Sequence, residues 1–381
     1  MKLKKLMTGA LIGVLTFGLA GCGASAPGTA TSSAAQTVET QSTASVADGG
    51  SDTGGATSTA ENVDGSSFKI AMITDLGGVN DQSFNQGAWE GLQQLSKETG
   101  AKVNYIEPKQ ASDFVNDFYS LVDDGNQMCW GIGFGTYDAI KEAATTNPDT
   151  TFAIVDNENS DNIPNLTGVM FRAQESSFMV GYIAAATTKT DKVGFVGGIA
   201  NTVIKQFESG YKGGVAYANK VLGKNVEVSS QYAESFSDAA KGKSIANKMF
   251  TDGCDIVYQA AGGSGQGVIE AAKDADKLAI GVDRDQNYLA PENVLTSAMK
   301  NVNVAVEDLS KDFISGNKDQ FAGKTITYGL KEGAVGISED HHLMDDEVYE
   351  AALQVGKDIE DGKITPPSTE DEYDKYVKSL G

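Results

Sequence analysis

From residue 68 onward, short β-branched runs alternate with amphipathic stretches of roughly 12 to 18 residues, and that alternation constrains the fold more than any other feature. Strand-like runs fall at 69–74, 103–107, 128–134, 151–155 and 167–171. Between them apolar residues recur at helical spacing, as at Phe84, Ala88, Leu92 and Leu95. Strands separated by helices pair in parallel, because a parallel connection needs a crossover long enough to hold a helix. A second series follows at 193–196, 226–232, 255–260 and 278–282. The roughly 310 residues after residue 67 exceed what one hydrophobic core usually serves. The pattern therefore predicts an α/β protein of two Rossmann-like lobes. Polar junctions near 189–192, 285–287 and 316–323 are the expected crossings, which gives one lobe of 68–190 plus 287–318 and another of 191–286 plus 319–381.

The segment before this region cannot build a core. Residues 23–67 are mostly Ser, Thr, Ala and Gly, with no aromatic residue and no apolar period, so they read as a flexible spacer with a reach of roughly 35 to 40 Å. Ahead of the spacer, Lys2, Lys4 and Lys5 precede an apolar run that stops at Leu19-Ala20-Gly21-Cys22. A basic start, a short apolar stretch and small residues before the cut describe a secretory signal at 1–21. Its ending resembles the bacterial lipobox, whose cysteine is diacylated on sulfur and becomes the new N-terminus. Two acyl chains supply the two signals that stable anchoring takes. No other stretch reaches 18 consecutive apolar residues, so the expectation is a lipid-anchored protein on the extracytoplasmic face of the cell membrane, with Cys22 and the linker spanning 22–67.

Charge and residue counts exclude several functions. Acidic residues outnumber basic ones 52 to 30, for a formal net charge of -22, and no basic run exists to displace counterions from nucleic acid. Cys129 and Cys254 are too few for a disulfide scaffold and read as small core residues. The only histidines, His341 and His342, are adjacent, and neighbouring side chains in an extended chain point to opposite sides. Gly262-Gly-Ser-Gly-Gln-Gly267 misses the nucleophile-elbow pattern at Gln266 and the dinucleotide pattern at Val268. We expect neither an enzyme, a metal site nor a cofactor.

In open parallel sheets, ligands bind beyond the carboxyl ends of the strands. Here those positions hold Asp75, Phe84 and Asn85 after the first strand, Asp156 and Asn157 after the fourth, and Phe236 in a Ser- and Asp-rich loop of the second lobe. Gly262 and Gly263, then Asp283, then Lys300 follow later strands. Carboxylates accept from vicinal hydroxyls, an ammonium donates to the same oxygens, and aromatic faces hold a flat heterocycle. The set suits a small neutral molecule with a ring and several hydroxyls, such as a free nucleoside. Phe134 and Phe207 are explained at least as well by packing and are left out of the set.

The strings Asp75-Leu-Gly-Gly-Val-Asn-Asp-Gln-Ser-Phe-Asn-Gln-Gly-Ala-Trp-Glu-Gly91, Ser235-Phe-Ser-Asp-Ala-Ala-Lys-Gly242, Ala261-Gly-Gly-Ser-Gly265 and Gly281-Val-Asp-Arg-Asp-Gln286 resemble the basic membrane protein (Med) family over 68 to about 364. That resemblance implies the fold of type I periplasmic binding proteins, with two lobes, three crossovers and a ligand in the cleft. It implies a lipoprotein substrate-binding protein of an ABC transporter, in a family that includes purine nucleoside receptors, so a nucleoside, with a purine favoured, is the expected ligand and a permease with a separate ATPase the expected partner; a monomer is expected. By motif, Phe84 and Phe236 take the faces of the base, Asn85 and Asp156 its polar edge, and Asp283, Lys300 and the Gly262-Gly263 backbone the ribose. Asp75 is a further cleft contact or orients the loop. Arg284 departs from the family, which often has Ser there. A free sugar or furanose signalling molecule is the alternative ligand, and a surface antigen without transport the third reading.

Overall fold

The computed structural model describes residues 63–381. The expected signal, Cys22 and the linker up to residue 62 lie outside the described residues. Residues 63–67, expected in the linker, belong to the folded part. Val63 packs against the first-lobe core, and the Gly65 N–H donates to the Thr99 carbonyl at 2.7 Å.

The chain forms β1 (Lys69–Ile73), α1 (Phe84–Thr99), β2 (Lys102–Ile106), α2 (Phe114–Asp123), β3 (Met128–Ile132), α3 (Tyr137–Thr146), β4 (Thr151–Val155) and β5 (Leu166–Phe171). It continues through α4 (Ala173–Thr187), β6 (Lys192–Gly197), α5 (Thr202–Leu222), β7 (Glu227–Tyr232), α6 (Ala239–Thr251), β8 (Ile256–Ala260), α7 (Gly263–Asp274) and β9 (Leu278–Asp283). The last part holds β10 (Val294–Lys300), α8 (Val302–Ile314), β11 (Thr325–Tyr328), β12 (Val335–Ile337), α9 (Asp346–Glu360) and α10 (Glu370–Leu380). One sheet runs β11-β5-β4-β3-β1-β2 and the other β12-β10-β9-β8-β6-β7. All pairs are parallel except β10 with β12.

Register decides what the two sheets present. Ile73 pairs with Gly131, and Ile132 with Val155, so the residues just past β1, β3 and β4 come out at one level. In the second sheet Gly197 pairs with Ala260 and Met299 with Asp283, which does the same for β6, β8, β9 and β10. Apolar clusters cover both faces of each sheet, as the continuous apolar runs require.

The crossings lie elsewhere than expected. The chain leaves the first lobe at Arg172, because α4 packs on α5 and α9 and against β10 and β12 of the second. Nearly all of α4 is buried, from Ala173 through Ala185, so its apolar sequence has no outer face to reveal where it sits. The turn at 285–287 stays within the second lobe and leads into β10, which pairs with β9. The return comes only after Lys300, when α8 packs on α1. The segment 316–323 is a loop inside the first lobe, where Gly323 N–H donates to the Leu166 carbonyl at 3.1 Å, and β11 joins β5. The final crossing follows β11. Thus 294–300, expected in the first lobe, belongs to the second, and 325–328 the reverse.

Glycines let the helices of the second lobe meet backbone to backbone. A Cβ on Gly214 of α5 would stand 2.0 Å from the Phe178 carbonyl oxygen of α4, and one on Gly181 would stand 2.2 Å from the Tyr211 oxygen. Cys129 and Cys254 are buried in the core, and burial pushes their thiols up to about 12 and about 11. No helix among the described residues is long and apolar enough to cross a membrane. Gly214→Ala is expected to lower stability by about 1 to 3 kcal/mol through overpacking. Gly87→Ala, with nothing within 4 Å of the added carbon, should instead gain about 0.5 to 1 kcal/mol from helix propensity. Thermal melting of the two variants checks the contrast.

Candidate functional site

The strand ends of the two sheets face each other across one cavity. Its first-lobe wall is built on the loop between β1 and α1. Asp81 organises that loop: its Oδ1 accepts from the Ser83 and Gln86 N–H groups at 2.9 and 3.1 Å, and its Oδ2 from the Asn85 N–H at 2.8 Å. These are the free donors of the first turn of α1, so the carboxylate serves as its cap. Asn85 ties the loop back to the strand. Its amide donates to Asp75 Oδ1 at 2.7 Å and Asp81 Oδ2 at 2.9 Å, while its Oδ1 accepts from the Asp75 N–H at 3.1 Å. Held this way, Phe84 and Asp75 both line the cavity, and with the side-chain hydrogen bonds of Asp75 on Oδ1, its Oδ2 has no partner among the described residues.

The polar floor crosses the lobes. Lys300, at the end of β10, is 2% exposed and donates to Asp156 Oδ2 at 2.5 Å. The same ammonium lies 4.5 Å from the centroid of the Phe84 ring, 5.2 Å from Phe171 and 5.9 Å from Phe207, within cation–π range of all three. Asp156 Oδ1 is buried without a partner among the described residues. Asp283 closes the floor and accepts from the Ser83 hydroxyl of the opposite lobe. Burial raises the Asp283 carboxyl to about 6, against the opposing pull of Lys300 and Ser83. Burial likewise raises Asp75 to about 6, opposed by the Gly77 N–H and the Asn85 amide.

Asp156 and Asp283 share an unusual backbone. Each has φ of +65°, in the left-handed region, and each stands at the end of the fourth strand of its lobe in chain order, Asp156 just after β4 and Asp283 as the last residue of β9. Aspartate tolerates that region better than most residues, and the turn brings both side chains to the cavity wall. Gly262, with φ of +54° and ψ of -134°, uses a conformation that essentially requires glycine.

The structure thus brings Asp75, Phe84, Asn85, Asp156, Phe236, Gly262, Asp283 and Lys300 to one cavity. Gly263 does not line it, because it is already the first residue of α7. Two aromatic residues set aside in the sequence, Phe134 and Phe207, do line it, and Phe134 meets Phe236 edge-on at 6.3 Å. The position of Phe134 two residues past the end of β3 was the signal. Asn201 and Ile204, at the start of α5, carried none. Arg284 lies outside this cavity and pairs with Glu90 of α1 at 3.0 Å.

With four carboxylates and one ammonium, the cavity is rich in hydrogen-bond acceptors. The sequence profile of the Bmp family, described as ABC transporter substrate-binding protein PnrA-like, matches residues 68–370. The chain is 42% identical over 323 residues to the ABC transporter nucleoside-binding protein BmpA of Lactococcus lactis, covering 79% of this chain and 89% of that one. It is 38% identical over 316 residues to basic membrane protein A of Borreliella burgdorferi, covering 82% and 91%. Among solved structures, an ABC transporter solute-binding protein from Aeropyrum pernix superimposes with a TM-score of 0.74 at 25% identity, over 82% of this chain and 97% of that one. The chain therefore belongs to the basic membrane protein family of PnrA-like ABC transporter substrate-binding proteins, and it binds a substrate rather than transforming one.

Proposed function

We propose that the protein is an extracytoplasmic receptor, anchored by a diacylated Cys22, that takes up a nucleoside, with a purine favoured, and delivers it to an ABC permease driven by a separate ATPase. The signal and lipobox-like ending support the anchor, and the printed function of the Lactococcus relative supports the ligand class. The observation that carries the reading is the composition of the cavity: aromatic rings from both lobes beside four carboxylates and a single lysine. Stacking a base on an aromatic ring is worth about 1 to 3 kcal/mol in single-strand binders, and a micromolar complex needs about 8 kcal/mol. Phe84 and Phe236 therefore supply a large part of the affinity, and a bicyclic base offers them more area.

Polar contacts set specificity. Asp75 and Asp156 each offer an unpartnered oxygen to N–H donors at the base edge, while Asn85 holds Asp75 rather than reading the base itself. Asp283, Lys300 and the Gly262 backbone take the ribose hydroxyls. A phosphate brought among four carboxylates is repelled, so nucleotides are excluded. Closure of the lobes removes water and strengthens each of these contacts.

Calorimetry with guanosine, inosine, adenosine, cytidine, uridine, GMP, ribose and galactose tests the assignment. Purine nucleosides should bind most tightly and GMP at least a hundredfold more weakly than guanosine; binding of the free sugars alone would overturn it. Asp283→Ala should weaken guanosine binding at least tenfold with the fold retained by circular dichroism, and unchanged affinity would remove Asp283 from the site. Acid should weaken binding as well. Asp75 and Asp283 titrate near 6, and ligand donors need the ionised form, so protons compete with ligand. Affinity should fall about tenfold per carboxylate from pH 7 to pH 5, with part of that dependence lost in Asp75→Asn. A flat profile would contradict the carboxylate contacts.

A further inference from the structure

The loop between β1 and α1 reaches the second lobe at points outside the ligand cavity. Gln286 Nε2 donates to the Gln82 carbonyl at 2.9 Å, the Tyr288 hydroxyl to Gln82 Oε1 at 2.6 Å, and Gln266 Nε2 to the Asp81 carbonyl at 3.1 Å. Farther along α1, Glu90 accepts from Arg284 Nη1 at 3.0 Å, and the guanidinium lies 5.7 Å from the centroid of the Tyr288 ring. Of these residues only Asp81 lines the ligand cavity.

The anchor on the second lobe is rigid. Gln286 is fully buried, and its Oε1 accepts from Gln259 Nε2 at 2.7 Å and from the Val282 N–H at 3.0 Å, which fixes the amide and leaves Nε2 directed at Gln82. On the first lobe, Gln82 has φ of +57°, a left-handed conformation that is strained for a residue with a side chain. Both its carbonyl and its side chain are engaged by the other lobe, and that engagement compensates for the strain only while the lobes are together.

We propose that Gln82 and Glu90 on one lobe, with Arg284, Gln286 and Tyr288 on the other, form an interlobe clasp that slows reopening of the cleft and so lengthens ligand residence. The clasp touches no cavity ligand, so it stabilises the closed form by the same factor whatever molecule is held. Capture happens on the open form, in which these contacts are broken. Loss of the clasp therefore speeds release, raises association only by the gain in open form and preserves the ratio of affinities between ligands. Substitutions in the cavity change that ratio. Naming guanosine as the probe rests on the nucleoside reading; the clasp itself does not.

The test compares wild type with Arg284→Ala, Tyr288→Phe and the charge-swapped pair Glu90→Arg with Arg284→Glu. Stopped-flow release of guanosine and of inosine should accelerate by the same factor in each single variant, about two- to fivefold as for a half-exposed ion pair, with association within twofold of wild type. The charge swap should return release toward the wild-type rate. In parallel, spin labels at Asn116→Cys on α2 and Lys248→Cys on α6 report the interlobe distance in ligand-free protein by double electron–electron resonance. The single variants should shift that distribution to longer distances and the swap should restore it. Unchanged distances overturn the clasp, even if melting temperature falls, and so does unchanged release where guanosine binds. If wild type fails to bind guanosine, the nucleoside reading fails and the distance shift alone decides the clasp.

Discussion

Lys300 leaves the end of one sheet and meets Asp156 at the end of the other, with both groups more than nine-tenths buried. Removing two charges from water costs several kcal/mol each, and their attraction offsets that only with good geometry and further contacts. The further contacts are present: three aromatic rings lie within cation–π range of the ammonium, and Asp283 stands near enough for the same charge to oppose its protonation. The remaining oxygen of Asp156 has no partner among the described residues. A buried acceptor left in that state costs about 1 to 3 kcal/mol, and in the proposed nucleoside reading a ligand N–H recovers it on entering. The pairing across the lobes and the demand for a donor-bearing ligand thus have one physical source.

The two lobes solve the same problem in the same way. Each places an aspartate in the left-handed region at the end of its fourth strand, and the register of each sheet aligns the neighbouring strand ends beside it. The two carboxylates arrive from opposite sides, Asp156 paired with Lys300 and Asp283 near enough to feel its charge. Interactions outside the cavity then act on the relative position of the lobes rather than on the ligand. Affinity in such an arrangement divides into contacts that choose the molecule and contacts that hold the door closed.

Much of this was legible in the sequence because it is local. The alternating runs located β1 to β9 closely, and strand-end residues announced themselves as polar or aromatic groups directly after apolar runs. Lobe membership was less legible. A helix buried on nearly every side, such as α4, carries no face that says which lobe buries it, and a polar turn such as 285–287 looks like a linker until Gln286 is seen fully buried and hydrogen-bonded. Asn85 shows the same limit at the site. Its residue type fits a base edge, and only the geometry shows that Asp75 and Asp81 already occupy its amide. Packing under a loop was a sufficient explanation for Phe134 and Phe207, although both border the cavity.

The most direct measurement is a crystal structure of the protein grown with guanosine. The account predicts density for the base between the rings of Phe84 and Phe236, its edge on Asp75 and Asp156, and ribose hydroxyls within hydrogen-bond distance of Asp283 and Lys300. Guanosine bound away from these residues, or a cavity that holds only a free sugar under the same conditions, would contradict it.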